Sequence, residues 1–276
     1  MKIKRDTFSR LLFGLIPFCF FILILLPVVW MVLSSFKETS EIFANLWALP
    51  EQWRFENYIE AWNTGISKYF LNSLIVTVAT CLLNVTVCGL FAFALVVYEF
   101  KGKKMFHALV VGGLMFSPIV SLIPLYQELQ ALHLYDTRIA LVLIYTAFQM
   151  PLCFMLTYNY FKDIDRAYVE AAQIDGCTSL QILTHVFMPV SKPIIMTTVV
   201  LTAFYSWNEF TFALIFLQNE LKLTVPIGLL AFQGEMHAEW SVLLAGLTIS
   251  AIPIIIFFIF TQKYFIAGLS AGGVKG

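Results

Sequence analysis

Charge is what this chain has least of. Lys and Arg number 17 and Asp and Glu 17, so 12% of the 276 residues are charged and the net charge is zero, while 60% are hydrophobic. With a mean hydropathy of +0.83, polar side chains are too few to cover a soluble surface, and the chain reads as an integral membrane protein. The neutral balance offers no basic face, so no nucleic-acid partner is expected. Patterns that carry chemistry are equally scarce. The four histidines, His107, His133, His185 and His237, are far apart, with no His-Glu-x-x-His pair, no Gly-x-Ser-x-Gly elbow and no paired His/Cys spacing, which argues against hydrolytic and metal-dependent catalysis. Gly102-Lys103-Lys104 lacks the glycine framework and the hydroxyl of a phosphate-binding loop, so any nucleotide would sit on another subunit. No metal or cofactor is expected on this chain. Cys19, Cys81, Cys88, Cys153 and Cys177 lie in apolar segments or in one polar loop, and read as small buried hydrophobes rather than disulfide partners.

Long apolar runs are what the chain does have. They fall at about 11–33, 69–97, 105–126, 139–161, 193–217 and 240–262. Each is about twenty residues or more, enough to cross a hydrocarbon layer of roughly 30 Å at 1.5 Å per residue. The first follows a basic segment with no small-residue cleavage site after it, and is expected to be a retained span. Six crossings place both termini on one side. Lys and Arg decide which: 12 of the 17 lie in the termini and the second and fourth connections, against Lys37, Arg54, Lys68, Arg138 and Lys222 in the others, so the former side is cytoplasmic. The first connection, 34–68, is then external; it carries Glu38, Glu41, Glu51, Glu56 and Glu60, with Trp47, Trp53 and Trp62 suited to the membrane–water interface. Pro17, Pro27, Pro118, Pro124, Pro151 and Pro253 fall inside the runs, where kinks are tolerated if neighbouring helices or cavities re-satisfy the freed carbonyls.

One polar stretch, 163–193, is neither apolar enough for lipid nor irregular enough for a linker. Read as a helix over 164–174, it lines up Ile164, Ala167, Tyr168, Ala171 and Ala172 as one stripe, with Asp163, Arg166, Glu170 and Gln173 opposite. Gly176 after Asp175 suits a left-handed helix stop. Thr178 with Gln181 three residues on has capping-box spacing and predicts a second helix through Leu180, Ile182, Leu183, Val186 and Phe187. The product is a small knob on the cytoplasmic side, either a docking element or an ordinary helix–turn–helix connector.

Among the acids only Glu209 lies well inside an apolar run, with Glu99 at an edge. Burying one carboxylate costs at least about 2.5 kcal/mol on insertion scales, so Glu209 faces a cavity, an interface or the outer mouth. Asn208 and Glu209 are candidates for a pathway or gate, with a structural hydrogen bond between helices the equal alternative. Ion-driven carriers place several ionisable groups at mid-depth, which this sequence does not.

The order Glu170-Ala171-Ala172, Asp175-Gly176, Met188-Pro189 resembles the EAA loop of permease subunits in ATP-binding-cassette importers. Phe70-Leu71-Asn72-Ser73, Trp207-Asn208-Glu209-Phe210 and the ending Gly268-Leu269-Ser270-Ala271-Gly272-Gly273-Val274-Lys275-Gly276 resemble the maltose-type second permease of carbohydrate importers. The likeness runs from about Asn57 to the end. It implies an all-α, polytopic fold of six transmembrane helices, the type I importer permease fold, in the inner membrane of a bacterial or archaeal cell. It also implies a second permease subunit, two ATPase subunits that hold ATP and Mg, and an extracytoplasmic solute-binding protein. On this likeness Glu170, Ala171, Ala172, Asp175 and Gly176 contact the ATPase, as do Gly272, Gly273 and Lys275 of the tail. Gln233, Gly234, Glu235 and Met236 of the external loop then reach the binding protein. The expected organisation is 1–68 as the cytoplasmic start, first helix and first external loop; 69–264 as a five-helix permease core with coupling loop 163–192 and external loop 218–239; and 265–276 as a cytoplasmic tail. A sugar is the expected cargo, with glycerol 3-phosphate or another polyol as alternatives; the absence of Lys or Arg deep in the runs favours a neutral one.

Overall fold

A computed structural model of the chain describes the backbone of residues 2–232 and 239–273 and the side chains of residues 15–230 and 239–263. Among the described residues every regular element is helical. In chain order these are α1 (Lys2–Ser34), α2 (Thr39–Ala44), α3 (Glu56–Ala61), α4 (Ser67–Val97), α5 (Lys103–Gly112), α6 (Leu122–Ala131), α7 (Arg138–Lys162), α8 (Arg166–Ile174), α9 (Ser179–Val190), α10 (Lys192–Asn208), α11 (Thr211–Phe216) and α12 (Trp240–Gly273), joined by turns and short helical pieces. Two compact units form, Met1–Ile66 with Leu229–Ile252 and Ser67–Gly228 with Pro253–Gly276.

In the first unit, α1 is apolar and exposed from Leu15 through Val29, a surface that belongs in lipid or against another protein. Cys19 lies on this exposed surface and Cys81 and Cys177 are half-buried, contrary to the expectation that all five cysteines are buried; all five are free thiols. The connection after α1 is folded. The Phe36 ring packs against Trp53, Phe55 and Tyr58 with centroids 5.2, 5.2 and 5.0 Å away. Asn57 donates through Nδ2 to the carbonyls of Ser35 at 2.8 Å and Lys37 at 3.0 Å.

In the second unit, α4, α7 and α10 pack into a three-helix core. A polar thread runs through it: Asn84 Nδ2 donates to Thr202 Oγ1 at 2.8 Å, and Cys88 Sγ donates to Asn84 Oδ1 at 3.0 Å. Such buried groups fix one register because any other leaves them unpaired. At the far end of α4, Asn72 Nδ2 donates to the carbonyls of Leu221 and Leu223, both at 2.9 Å, while Arg138 Nη1 donates to Asn72 Oδ1 at 2.8 Å. Ser73 Oγ accepts from the Val225 amide at 2.8 Å. The Phe-Leu-Asn-Ser motif is thus a clamp on the segment from Leu221 to Val225. Asp136 adds a latch: Oδ1 accepts from the Gln218 and Asn219 amides, and Oδ2 pairs with Lys222 at 2.9 Å. Burial alone would raise its pKa, but these donors and the Lys222 charge outweigh it and hold the carboxyl below the usual range.

Gly228 closes this loop against the Tyr69 ring, which is buried. A Cβ at 228 would overlap that ring, so Gly228→Ala is expected to destabilise the chain by about 1–3 kcal/mol, the usual overpacking range. The check is the melting midpoint of the detergent-solubilised protein, with Tyr69→Ala expected to relieve part of the loss in the double variant.

The crossings differ from expectation in two places. Among the described residues four helices are long and apolar enough to span a membrane, within 15–34, 56–97, 138–162 and 240–263, and α9 with α10 makes a fifth if that pair, bent by 83°, is one span. The stretch 105–126, expected as one crossing, is α5 and α6 separated by a 3-10 turn at Gly113–Met115 and an irregular segment at 116–121. Gly112 and Gly113 weaken the helix there and Pro118 cannot supply the amide that would continue it. The stretch 193–217 likewise breaks after Asn208, where Glu209 turns extended (ψ 127°). Pro17, Pro27, Pro151 and Pro253 do lie inside continuous helices.

Candidate functional site

The knob is built mostly from local chemistry. Its first helix starts two residues later than expected: Asp165 is the N-cap, with Oδ1 accepting the Ala167 amide at 3.0 Å, so Ile164 precedes it. α8 ends at Gly176, whose φ of +77° is left-handed. There the Cys177 amide donates to the Ala172 carbonyl at 2.9 Å and the Gly176 amide to Gln173 at 3.1 Å, the two bonds of a Schellman stop. Thr178 then opens α9 with both bonds of the capping box: its amide donates to Gln181 Oε1 at 2.8 Å, and its Oγ1 accepts the Gln181 amide at 3.4 Å.

Packing orients this hairpin. Ala172, Ile182, Leu183 and Phe187 are buried in one apolar cluster with Phe93, Leu95, Phe154 and Phe161, and Ile164 and Val169 pack against it. The Phe187 ring meets Phe93 and Phe161 edge-on, both with centroids at 5.0 Å, and Tyr98 Oη donates to Ser179 Oγ at 2.5 Å. The stripe expected along α8 therefore splits. Ile164 and Ala172 face the bundle, whereas Ala167, Tyr168 and Ala171 are exposed alongside Ile174, which is 86% exposed, and Leu180. The helix is too short for a single stripe to decide its orientation, and the Phe187 cluster does so instead. Glu170 is exposed, as its polar position requires.

Beside Glu170 a cleft of about 380 Å³ opens against the end of α4, lined in part by Glu99, Lys103, Lys162, Arg166, Glu170 and Gln173. Lys103 Nζ donates to Glu99 Oε1 at 2.8 Å. This hydrogen bond and the Lys103 charge, helped by Arg166, hold the Glu99 carboxyl below its ordinary range. The pair's contribution is present above the unfolded carboxylate pKa and is lost as pH falls through the lower folded value.

Glu209 lies between α10 and α11. Its Oε1 accepts the Phe212 amide at 2.9 Å, and its Oε2 accepts the Ala213 amide at 3.2 Å and the Tyr145 hydroxyl at 2.7 Å. Asn208 is exposed and donates to Phe204 of its own helix at 2.8 Å. The knob residues Glu170, Ala171, Ala172, Asp175 and Gly176 are brought together; Asn208 and Glu209 form a separate locus. Gly272 and Gly273 are described only as backbone at the end of α12, and Lys275, Gln233, Gly234, Glu235 and Met236 lie outside the described residues. Tyr145, Arg138 and Asp136 escape sequence reasoning because their partners lie 64 to 86 residues away.

Residues 85–270 match the family model for the binding-protein-dependent transport system inner membrane component. The chain belongs to this family. It is a permease subunit and a multi-pass membrane protein, and the α8–α9 hairpin lies within the matched region. A Bacillus subtilis relative, "Probable ABC transporter permease protein YurM", is 48% identical over 259 residues, covering 94% of this chain and 86% of the relative. "Trehalose/maltose transport system permease protein MalG" of Thermococcus litoralis is 32% identical over 279 residues, 99% of each chain. Among solved structures, a chain of a bacterial ABC transporter involved in the import of the acidic polysaccharide alginate superposes with a TM-score of 0.82 at 24% identity, over 94% of this chain and 97% of the other. That likeness establishes the permease fold.

Proposed function

We propose that this permease subunit carries a sugar or oligosaccharide into the cytoplasm as part of an ATP-driven importer, with a second permease, two ATPase subunits that bind ATP and Mg, and an extracytoplasmic binding protein. The observation that carries the reading is the hairpin: anchored by Phe187 on one side, it presents Tyr168, Glu170, Ala171, Ile174 and Leu180 outward. An exposed apolar patch with an exposed acid on the same short helix suits docking into a cleft of another protein. Full-length similarity to a trehalose/maltose permease supports the cargo class. The tail residues Gly272, Gly273 and Lys275 give a second ATPase contact, and Gln233 to Met236 reach the binding protein.

In this mechanism the ATPases close on ATP and push the hairpin as one body. α9 meets α10 through the 83° elbow, so the push tilts a core helix. The bundle then alternates between inward-open and outward-open states, biased by nucleotide and by the loaded binding protein. Ion coupling is disfavoured because Glu209, the one acid expected at depth, already accepts two amides and a tyrosine hydroxyl. In this reading Asn208 and Glu209 shape the pathway wall, with Glu209 holding the break between α10 and α11.

Glu170→Lys tests the docking face. The variant is expected to insert normally, because residue 170 is exposed, and to lose ATP-dependent uptake in proteoliposomes. Unchanged uptake would remove Glu170 from the ATPase contact.

A further inference from the structure

The first unit contains a cavity of about 540 Å³ lined by residues from α2, α3 and the start of α12, including Asn57, Glu60, Glu239, Trp240 and the ion-paired Glu38 and Arg54. Under the charge-based orientation it opens on the external side. Its wall combines two kinds of chemistry. The Phe43 and Trp240 rings meet edge-on with centroids 6.2 Å apart, yet both stay open to solvent, Phe43 at 66% and Trp240 at 41%. Aromatic faces left uncovered beside a polar cavity suit a ligand with C–H faces. Around them stand carboxylates, a guanidinium and an amide, the donor and acceptor set that pairs with vicinal hydroxyls.

Asn57 is a fixed polar group in this wall. It is 9% exposed, and its Nδ2 is held by the carbonyls of Ser35 and Lys37. That fixes the amide and leaves Oδ1, on a side chain that lines the cavity, without a hydrogen-bond partner among the described residues. An amide oxygen placed there can accept a ligand hydroxyl. The charge of the wall then narrows the ligand. Arg54 Nη2 bonds Glu38 Oε2 at 2.5 Å, and Glu60 and Glu239 line the same wall, so three carboxylates stand there against one guanidinium. Such a wall repels an anionic ligand. No group of three or more His, Cys, Asp or Glu among the described residues can hold a metal ion.

We propose that this cavity is a saccharide subsite on the permease itself, taking a neutral glycosyl unit as it leaves the binding protein and rejecting uronates. It rests on the carbohydrate reading above and adds to it a site and a charge class.

The test uses the complete transporter in nanodiscs and proteoliposomes with its binding protein. The probes are a neutral panel of maltose, trehalose, raffinose and maltotriose, with digalacturonate as the acidic competitor. Trp240→Ala is expected to raise the half-saturating concentration of the transported sugar by about three- to tenfold, as loss of one aromatic contact does, with the affinity for the binding protein unchanged and Trp240→Phe restoring uptake. Glu239→Lys is expected to make digalacturonate a competitor where it is none for the wild type. An unchanged half-saturating concentration in Trp240→Ala, or one that rises only in step with lost binding-protein affinity, overturns the subsite and leaves the carbohydrate reading standing. If the wild type takes up no member of the panel, the carbohydrate reading fails and the subsite with it.

Discussion

Replacing Gly176 with valine is expected to abolish copurification of the ATPase and to reduce ATP-dependent uptake to background, while the chain still inserts into the membrane. The residue holds φ at +77° with no heavy atom near the position of a Cβ, so the defect comes from the backbone and not from crowding. A left-handed conformation costs an ordinary residue roughly 1–2 kcal/mol, and a β-branched one is a genuine outlier there. The chain can avoid that cost only by giving up the Schellman bonds from Cys177 to Ala172 and from Gly176 to Gln173. Those bonds set the angle between α8 and α9, so Tyr168 and Ile174 would no longer share a surface with Leu180. Gly176→Asn tolerates positive φ better and is expected to keep most of the uptake. Equal recovery of the ATPase from the Gly176→Val and wild-type proteins, measured by pull-down in mild detergent, would show that the hairpin angle does not govern docking.

On the proposed heteromeric assembly, introducing a carboxylate at Val120 is expected to release the second permease. Val120 is 78% exposed, in an apolar strip with Met115, Phe116, Ile119 and Ile123. This strip surrounds the break between α5 and α6. Under the charge-based orientation, with α5 entering the membrane from Lys103 and Lys104, its ten residues rise about 15 Å and put the break near the middle of a hydrocarbon layer of roughly 30 Å. Irregular backbone at that depth is tolerated only inside protein or along water, and an apolar strip argues for protein. We therefore assign this strip to the seam with the partner permease. Val120→Asp then places a charge worth about 2.5–3.5 kcal/mol at mid-depth on an apolar strip. Size-exclusion chromatography of the tagged chain should show the partner lost, whereas Val120→Leu should retain it. An intact heteromer in Val120→Asp would place the seam elsewhere.

What could be read from the sequence follows the range of the interactions involved. The hairpin was legible because its signals act within a few residues: Thr178 with Gln181 and Gly176 after Asp175. The orientation of α8 was not, because it depends on Phe187 meeting Phe93 and Phe161, contacts that join three separate helices. The apolar runs announced a membrane protein, yet hydropathy is blind to whether a run is one helix. In 105–126 the paired glycines and Pro118 divide it, and at Glu209 a carboxylate that caps the next helix does so.

The sequence by itself determined the membrane setting, the helical class and the stop-and-restart chemistry of the hairpin, since composition and near-neighbour hydrogen bonds need no fold to act. The tertiary structure alone decided which knob residues face outward, that Asn72 and Arg138 clamp the loop at Leu221 and Leu223, and that Asn57, Glu60 and Trp240 share one cavity. Each of these joins residues tens to nearly two hundred positions apart, and only packing of buried surface brings such positions together.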